Sequence, residues 1–217
     1  MTKMEENMLF VMKFLENRNG VITVAELEEM GIARKAIYEL QKYEYLEKVD
    51  VGVYRRKGQE EDLLYETQKQ FPNGIYSLDT ALYIHGLSEI LPEKFGMTYY
   101  THSHAPTIAE RKLHVRYTEK YQDGVVEVVS KFGNQLKVYS KERTLAEICR
   151  GSYKIDEAVI RHAYSVYANL PERDAVKIYE YSTIFPGAKS TLKYIEEYMP
   201  DEYQKVSEII KAKKAKK

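Results

Sequence analysis

The chain has 217 residues, 44% of them hydrophobic, with 33 Lys and Arg set against 33 Asp and Glu. This length and apolar content can bury one sizeable core plus a small accessory domain, so two domains are expected. Zero net charge excludes nucleic-acid binding by bulk basicity and leaves only a local basic strip for that purpose, while the single Cys149 excludes an intramolecular disulfide.

At the start of the chain Glu5 and Glu6 stand where a secretory leader would be basic, and Lys13 interrupts the apolar run Met8 to Leu15. These features point to a cytoplasmic protein with no signal peptide and no membrane span. Met4, Met8, Val11, Met12 and Leu15 recur at helical spacing and predict a helix with one apolar stripe. Thr23-Val24-Ala25-Glu26 then fits a capping box, in which the Thr23 hydroxyl and the Glu26 carboxylate each accept from the other's backbone amide. The short helix it starts can run only to Met30, because Gly31 supplies the left-handed backbone that turns the chain, and Ile32 follows as a buried plug.

From Ala33 the spacing of Ala36, Ile37 and Leu40 sets the inner side of a second helix, which leaves Arg34, Lys35, Tyr38, Gln41 and Lys42 facing outward. Tyr45 to Lys57 holds two runs rich in Val and Tyr around a turn at Asp50 to Gly52, the pattern of a hairpin wing. Residues 1–58 therefore read as a winged helix-turn-helix domain. In that geometry Arg34 and Lys35 are candidates for base edges, Tyr38, Gln41 and Lys42 for flanking contacts, and Arg55, Arg56 and Lys57 for phosphate. Glu26, Glu28, Glu29, Glu39 and Glu44 lie among these cations, so weak, site-selective binding to duplex DNA is the expectation. The alternative is an adaptor that turns the same helix toward a protein.

The polar stretch around 57–62 suggests a boundary, with a second domain over 61–217. It opens with helices around Leu63 to Gln70 and Leu78 to His85, separated by a turn at Phe71 to Gly74. Strand-like runs follow at Phe95 to Thr101, Lys112 to Thr118, Val125 to Ser130 and Gln135 to Tyr139, the last two joined by a tight turn at Phe132-Gly133-Asn134. From Lys141 the pattern is helical, with breaks at Gly151, Pro171, Pro186-Gly187 and Pro200, and the basic run Lys211 to Lys217 reads as a frayed, solvated end. The fold class is α+β, a sheet at about 95–140 and helices over 141–217. With short helices and no heptad seam, a monomer in solution is expected.

Catalytic motifs are absent from the sequence: it has no Gly-rich phosphate loop, no Gly-x-Ser-x-Gly elbow and no paired Cys. His102-Ser103-His104 would place two imidazoles on one face of a strand, yet no third ligand stands at a defensible spacing, so neither a metal nor a cofactor is expected. Cys149 falls in the apolar phase of its helix and reads as a buried thiol. Arg143, near the start of a helix, is opposed by the helix dipole; a buried ion pair that locks the sheet to the helices is the expected compensation.

Three blocks in succession carry a family resemblance: the winged start, then Gly74-Ile75-Tyr76-Ser77-Leu78-Asp79-Thr80-Ala81-Leu82-Tyr83-Ile84-His85-Gly86-Leu87-Ser88, and finally Val138-Tyr139-Ser140-Lys141-Glu142-Arg143-Thr144-Leu145-Ala146-Glu147-Ile148. Over roughly residues 5 to 150 the chain resembles the AbiE-type (AbiEi) antitoxins of bacterial type IV, abortive-infection toxin–antitoxin systems. The resemblance implies a non-enzymatic protein with two roles: repression of its own promoter at inverted repeats by the winged domain, and antitoxicity by the C-terminal domain. It also implies a nucleotidyltransferase-like toxin as functional partner, without a stable complex. The positions matching the DNA-reading helix are Arg34, Lys35 and Tyr38, with Arg55 and Arg56 on the wing.

Overall fold

The computed structural model describes residues 2–16, 20–185 and 189–215. The chain divides into two compact units, Met1–Gly74 with Glu127–Leu136, and Ile75–Val126 with Lys137–Lys217. The polar stretch 57–62 lies within the first of them.

The first unit runs α1 (Lys3–Glu16), β1 (Val21–Thr23), α2 (Val24–Glu29), α3 (Lys35–Lys42), β2 (Leu46–Asp50), β3 (Val53–Arg56) and α4 (Leu63–Gln70). The capping box forms as the sequence predicts: the Glu26 amide donates to Thr23 Oγ1 at 3.1 Å and the Thr23 amide to Glu26 Oε2 at 2.9 Å. Gly31 takes a φ of +69°, a conformation with little cost only for glycine. The turn it makes lets the Ile32 amide donate to the Leu27 carbonyl at 2.9 Å and drops Ile32 into the core. That core joins Val11 and Leu15 of α1 to Leu27, Ile37, Leu40 and Tyr54. The hairpin β2–β3 gains a third strand that the sequence did not announce: Val21, Ile22 and Thr23 pair antiparallel with Arg55, Tyr54 and Val53. Three residues are too few to show the alternation by which a strand is recognised.

After α4 the chain continues with β4 (Ile75–Tyr76), α5 (Leu78–Ile84), β5 (Gly96–Tyr100), α6 (Thr107–Lys112), β6 (His114–Thr118), β7 (Val125–Val129), β8 (Gln135–Tyr139) and α7 (Lys141–Ile148), with parts of β7 and β8 falling in the Glu127–Leu136 segment of the first unit. A 3-10 turn at Gly151–Tyr153 leads to α8 (Glu157–Ala168), α9 (Ala175–Ile184), α10 (Ser190–Tyr198) and α11 (Pro200–Ala215). The sheet order is β6-β5-β4-β8-β7, with β4 antiparallel to β5, and the β5/β6 and β4/β8 pairs parallel. The architecture is the α+β one expected, a mixed sheet followed by helices. The strand expected from Lys112 starts instead at His114, because residues 107–112 form α6 and the Leu113 amide donates to the Ala109 carbonyl at 2.7 Å.

Leu82, Leu145, Tyr164, Tyr167 and Ile195 centre the core of the second unit, where Tyr164 stacks on Tyr194 with ring centroids 5.2 Å apart. Of the expected breaks, Gly151 falls in the 3-10 turn, Pro171 between α8 and α9, and Pro200 at the start of α11, while Pro186-Gly187 lies outside the described residues. The basic tail is exposed but helical through Ala215 rather than frayed; its last two residues lie outside the described set. No helix among the described residues is long and apolar enough to cross a membrane.

Candidate nucleic-acid interface

The outer face of α3 is built by the spacing of its inner face. Ala36, Ile37 and Leu40 are buried against α1 and the hairpin, so Arg34, Lys35, Tyr38 and Lys42 are forced outward, and all four are exposed. Gln41 is half-buried. Arg34 precedes the first helical residue, and its carbonyl accepts from the Ile37 amide at 3.0 Å. Its guanidinium meets Glu28 of α2 at 2.6 Å, both side chains more than half exposed, an ion pair that screening keeps weak. Lys35 makes no side-chain hydrogen bond or ion pair among the described residues. Tyr38 is 59% exposed. On the neighbouring hairpin Tyr54 is buried, and burial pushes its hydroxyl pKa up, with Tyr38 adding to the shift and Arg34 opposing it. The three side chains are therefore electrostatic neighbours, and the wing lies alongside the first turn of α3.

The three cations expected on the wing part company. Arg56 and Lys57 are exposed, Lys57 in a surface ion pair with Glu44 at 2.8 Å. Arg55 is turned to the other side of the sheet. Its Nε donates to Glu47 at 2.9 Å and its Nη1 to Glu66 of α4 at 2.7 Å, and its side chain is only 15% exposed. Glu66 is almost fully buried; burial pushes its carboxyl pKa up, and Arg55 pulls against that shift. Arg55 thus joins the hairpin to α4.

In the second unit, Arg143 has no exposed surface. Its Nη2 donates to Glu147 at 3.2 Å and its Nη1 to the carbonyls of Lys120, at 2.7 Å, and of Asp123, while the guanidinium lies 3.3 Å from the Tyr139 ring centroid. The ion pair expected for it is present, one turn along its own helix; the link to the sheet runs through carbonyls of the β6–β7 connection. Cys149 is buried, which pushes its thiol pKa up to about 11 and away from nucleophilic use. His102 and His104 are exposed after β5, and no three His, Cys, Asp or Glu residues converge among those described. A cavity of about 350 Å³ is lined by Tyr100, Glu119, Tyr121, Gln122 and Asp123, a set without a nucleophile–base pair.

No curated protein matches the sequence. Among solved structures, the RV2827C protein from Mycobacterium tuberculosis superposes with a TM-score of 0.61 at 14% identity, over 89% of this chain and 78% of that one, so the two share a fold. Residues 10–57, the span that holds α2, α3 and the wing, match the family described as "Transcriptional regulator, AbiEi antitoxin".

Proposed function

We propose that the first unit binds duplex DNA through α3 and the wing, and that the protein is a transcriptional autorepressor and antitoxin of the AbiEi kind. The observation that carries this reading is the exposed face of α3, where Arg34, Lys35, Tyr38 and Lys42 share the surface of a winged fold within the family-matched span. Arg34 and Lys35, at the helix start, would meet base edges in the major groove; Tyr38, Gln41 and Lys42 would flank them, and Arg56 and Lys57 would meet phosphate. The protein acts as a non-enzymatic cytoplasmic monomer, with two copies meeting on an inverted repeat. Its functional partner is a nucleotidyltransferase-like toxin that it opposes without a stable complex.

Mobility shifts of the full chain on a duplex from its own upstream region, at several salt concentrations, test the first half. Arg34→Ala should cost about 1–3 kcal/mol at the specific site. Wild-type binding by a chain with Arg34, Lys35, Arg56 and Lys57 all replaced by Ala would overturn the reading. For the second half, the neighbouring toxin gene is co-expressed with the full chain or with Arg34→Ala/Lys35→Ala: the variant should lose repression yet still protect growth.

A further inference from the structure

We propose that Lys48, on β2, is a phosphate contact of the wing beside Arg56, and that Arg55 takes no part in holding DNA. This rests on the DNA-binding reading above and assigns the wing's chemistry within it.

Strand register decides the assignment. Residues paired across antiparallel strands share a face, and neighbours along a strand alternate faces. Lys48 pairs with Tyr54, Glu47 with Arg55, Leu46 with Arg56, and Asp50, beyond a bulge, with Val53. One face of the hairpin thus carries Leu46, Lys48, Tyr54 and Arg56; the other carries Glu47, Asp50, Val53 and Arg55. Leu46 and Tyr54 belong to the core shared with α1 and α3, so the first face is the one beside α3. Arg55 reaches Glu66 on α4, so the second face is covered by α4.

Charge follows the same division. On the α3 side the outward residues are Lys48 and Arg56, both exposed and both without a side-chain hydrogen bond or ion pair among the described residues. The carboxylates Glu47 and Glu66 lie on the α4 side, where they hold Arg55. Lys48 stands across from Tyr54, whose hydroxyl feels both Arg34 and Tyr38. Arg34, although paired with Glu28, and Lys48 therefore both stand beside Tyr54 on the α3 side, and with Arg56 they supply the local cations that a chain of zero net charge requires.

The test uses the full chain and two duplexes, one from the upstream region and one of unrelated sequence, with anisotropy titrations over a salt series. A lost phosphate contact lowers the slope of log K against log[salt] by about 0.9, which amounts to about an eightfold loss of affinity at about 0.1 M monovalent salt. Lys48→Ala should show this on both duplexes alike, Lys48→Arg should restore it, and thermal melts should show both variants folded. Arg55→Ala, assayed below its melting temperature, should keep the wild-type slope. A wild-type slope in Lys48→Ala, or a loss confined to the specific duplex, overturns the proposal while leaving the DNA reading intact. Failure of the wild-type chain to bind either duplex removes both.

Discussion

Replacing Arg55 by Ala should destabilise the first unit in a way that depends on pH, and the size of the effect can be worked from Glu66. In the wild type, burial already raises the Glu66 carboxyl pKa above its ordinary value of 4.5, with Arg55 pulling the other way. Without the guanidinium, a nearly inaccessible carboxylate loses its 2.7 Å partner, and the lowest-cost escape is to bind a proton. At pH 7 that protonation costs about 3.4 kcal/mol relative to a group titrating at 4.5, and at pH 5.5 about 1.4 kcal/mol, at 1.36 kcal/mol per unit. These figures bound the electrostatic part of the loss. The sign follows: a carboxyl raised in the folded state binds more protons folded than unfolded, so its contribution to stability falls as pH rises from the unfolded pKa through the folded one. Removing Arg55 moves the folded pKa further up and widens that window. Urea titrations at about pH 5.5, 6.25 and 7, all above the ordinary carboxyl pKa of 4.5, should show a deficit for Arg55→Ala that shrinks toward the acid end. Arg55→Ala/Glu66→Gln should recover most of the loss at pH 7. A deficit that does not change with pH, or a double variant no better than the single one, would refute the brace.

Other consequences are as direct. Thr23→Ala removes the hydroxyl that accepts from the Glu26 amide and should cost about 1 kcal/mol in a denaturant melt of the first unit. Gly124 has a φ of +70°, and a Cβ there would come within 2.6 Å of the Tyr181 hydroxyl and 3.2 Å of Arg143 Cδ; Gly124→Ala should therefore destabilise the second unit by about 1–3 kcal/mol. Burial lowers the His85 pKa, although the ring Nε2 lies 2.7 Å from the Tyr139 carbonyl. The unfolded state then binds the extra proton first, so stability is full above about 6.5 and is lost as pH falls below it. His85→Gln, which keeps a donor but does not titrate, should lose less stability between about pH 6.5 and 5.5 in paired urea melts.

Much of the first unit was legible because its signals are local. The capping box, the Gly31 turn and the spacing of Ala36, Ile37 and Leu40 each act within a few residues, and each appears at its expected place. What was hidden is non-local or too short to carry a pattern. β4 has two residues, and its strand character comes from pairing with β5 and β8. The helix at Thr107–Lys112 is not expected from the sequence, whose pattern places its last residue at the start of a strand. Arg143 has one partner at helical spacing, Glu147, but its other bonds go to carbonyls 20 and 23 residues earlier. The placement of Arg55 had a usable signal: consecutive strand residues point to opposite faces, so Arg55 and Arg56 could not both face a duplex. With Arg56 assigned to the α3 side, Lys48 follows by register.

The acids of the first unit also acquire a physical role. Glu28 and Glu44 hold Arg34 and Lys57 in exposed pairs, whose stabilising effect is small because water and salt screen them. Such pairs open readily when phosphate approaches, yet each must be broken before its cation can bind. A DNA surface made this way gains less from counterion release than its number of cations suggests, since part of the positive charge is already neutralised in the free protein. Lys35, Lys48 and Arg56 have no such partner among the described residues, so on the proposed reading they should dominate the salt dependence, while Arg34 would contribute mainly through a base. On the DNA-binding reading proposed above, sequence-independent affinity would stay low and discrimination would rest on α3, an arrangement suited to a regulator with many competing sites and few correct ones.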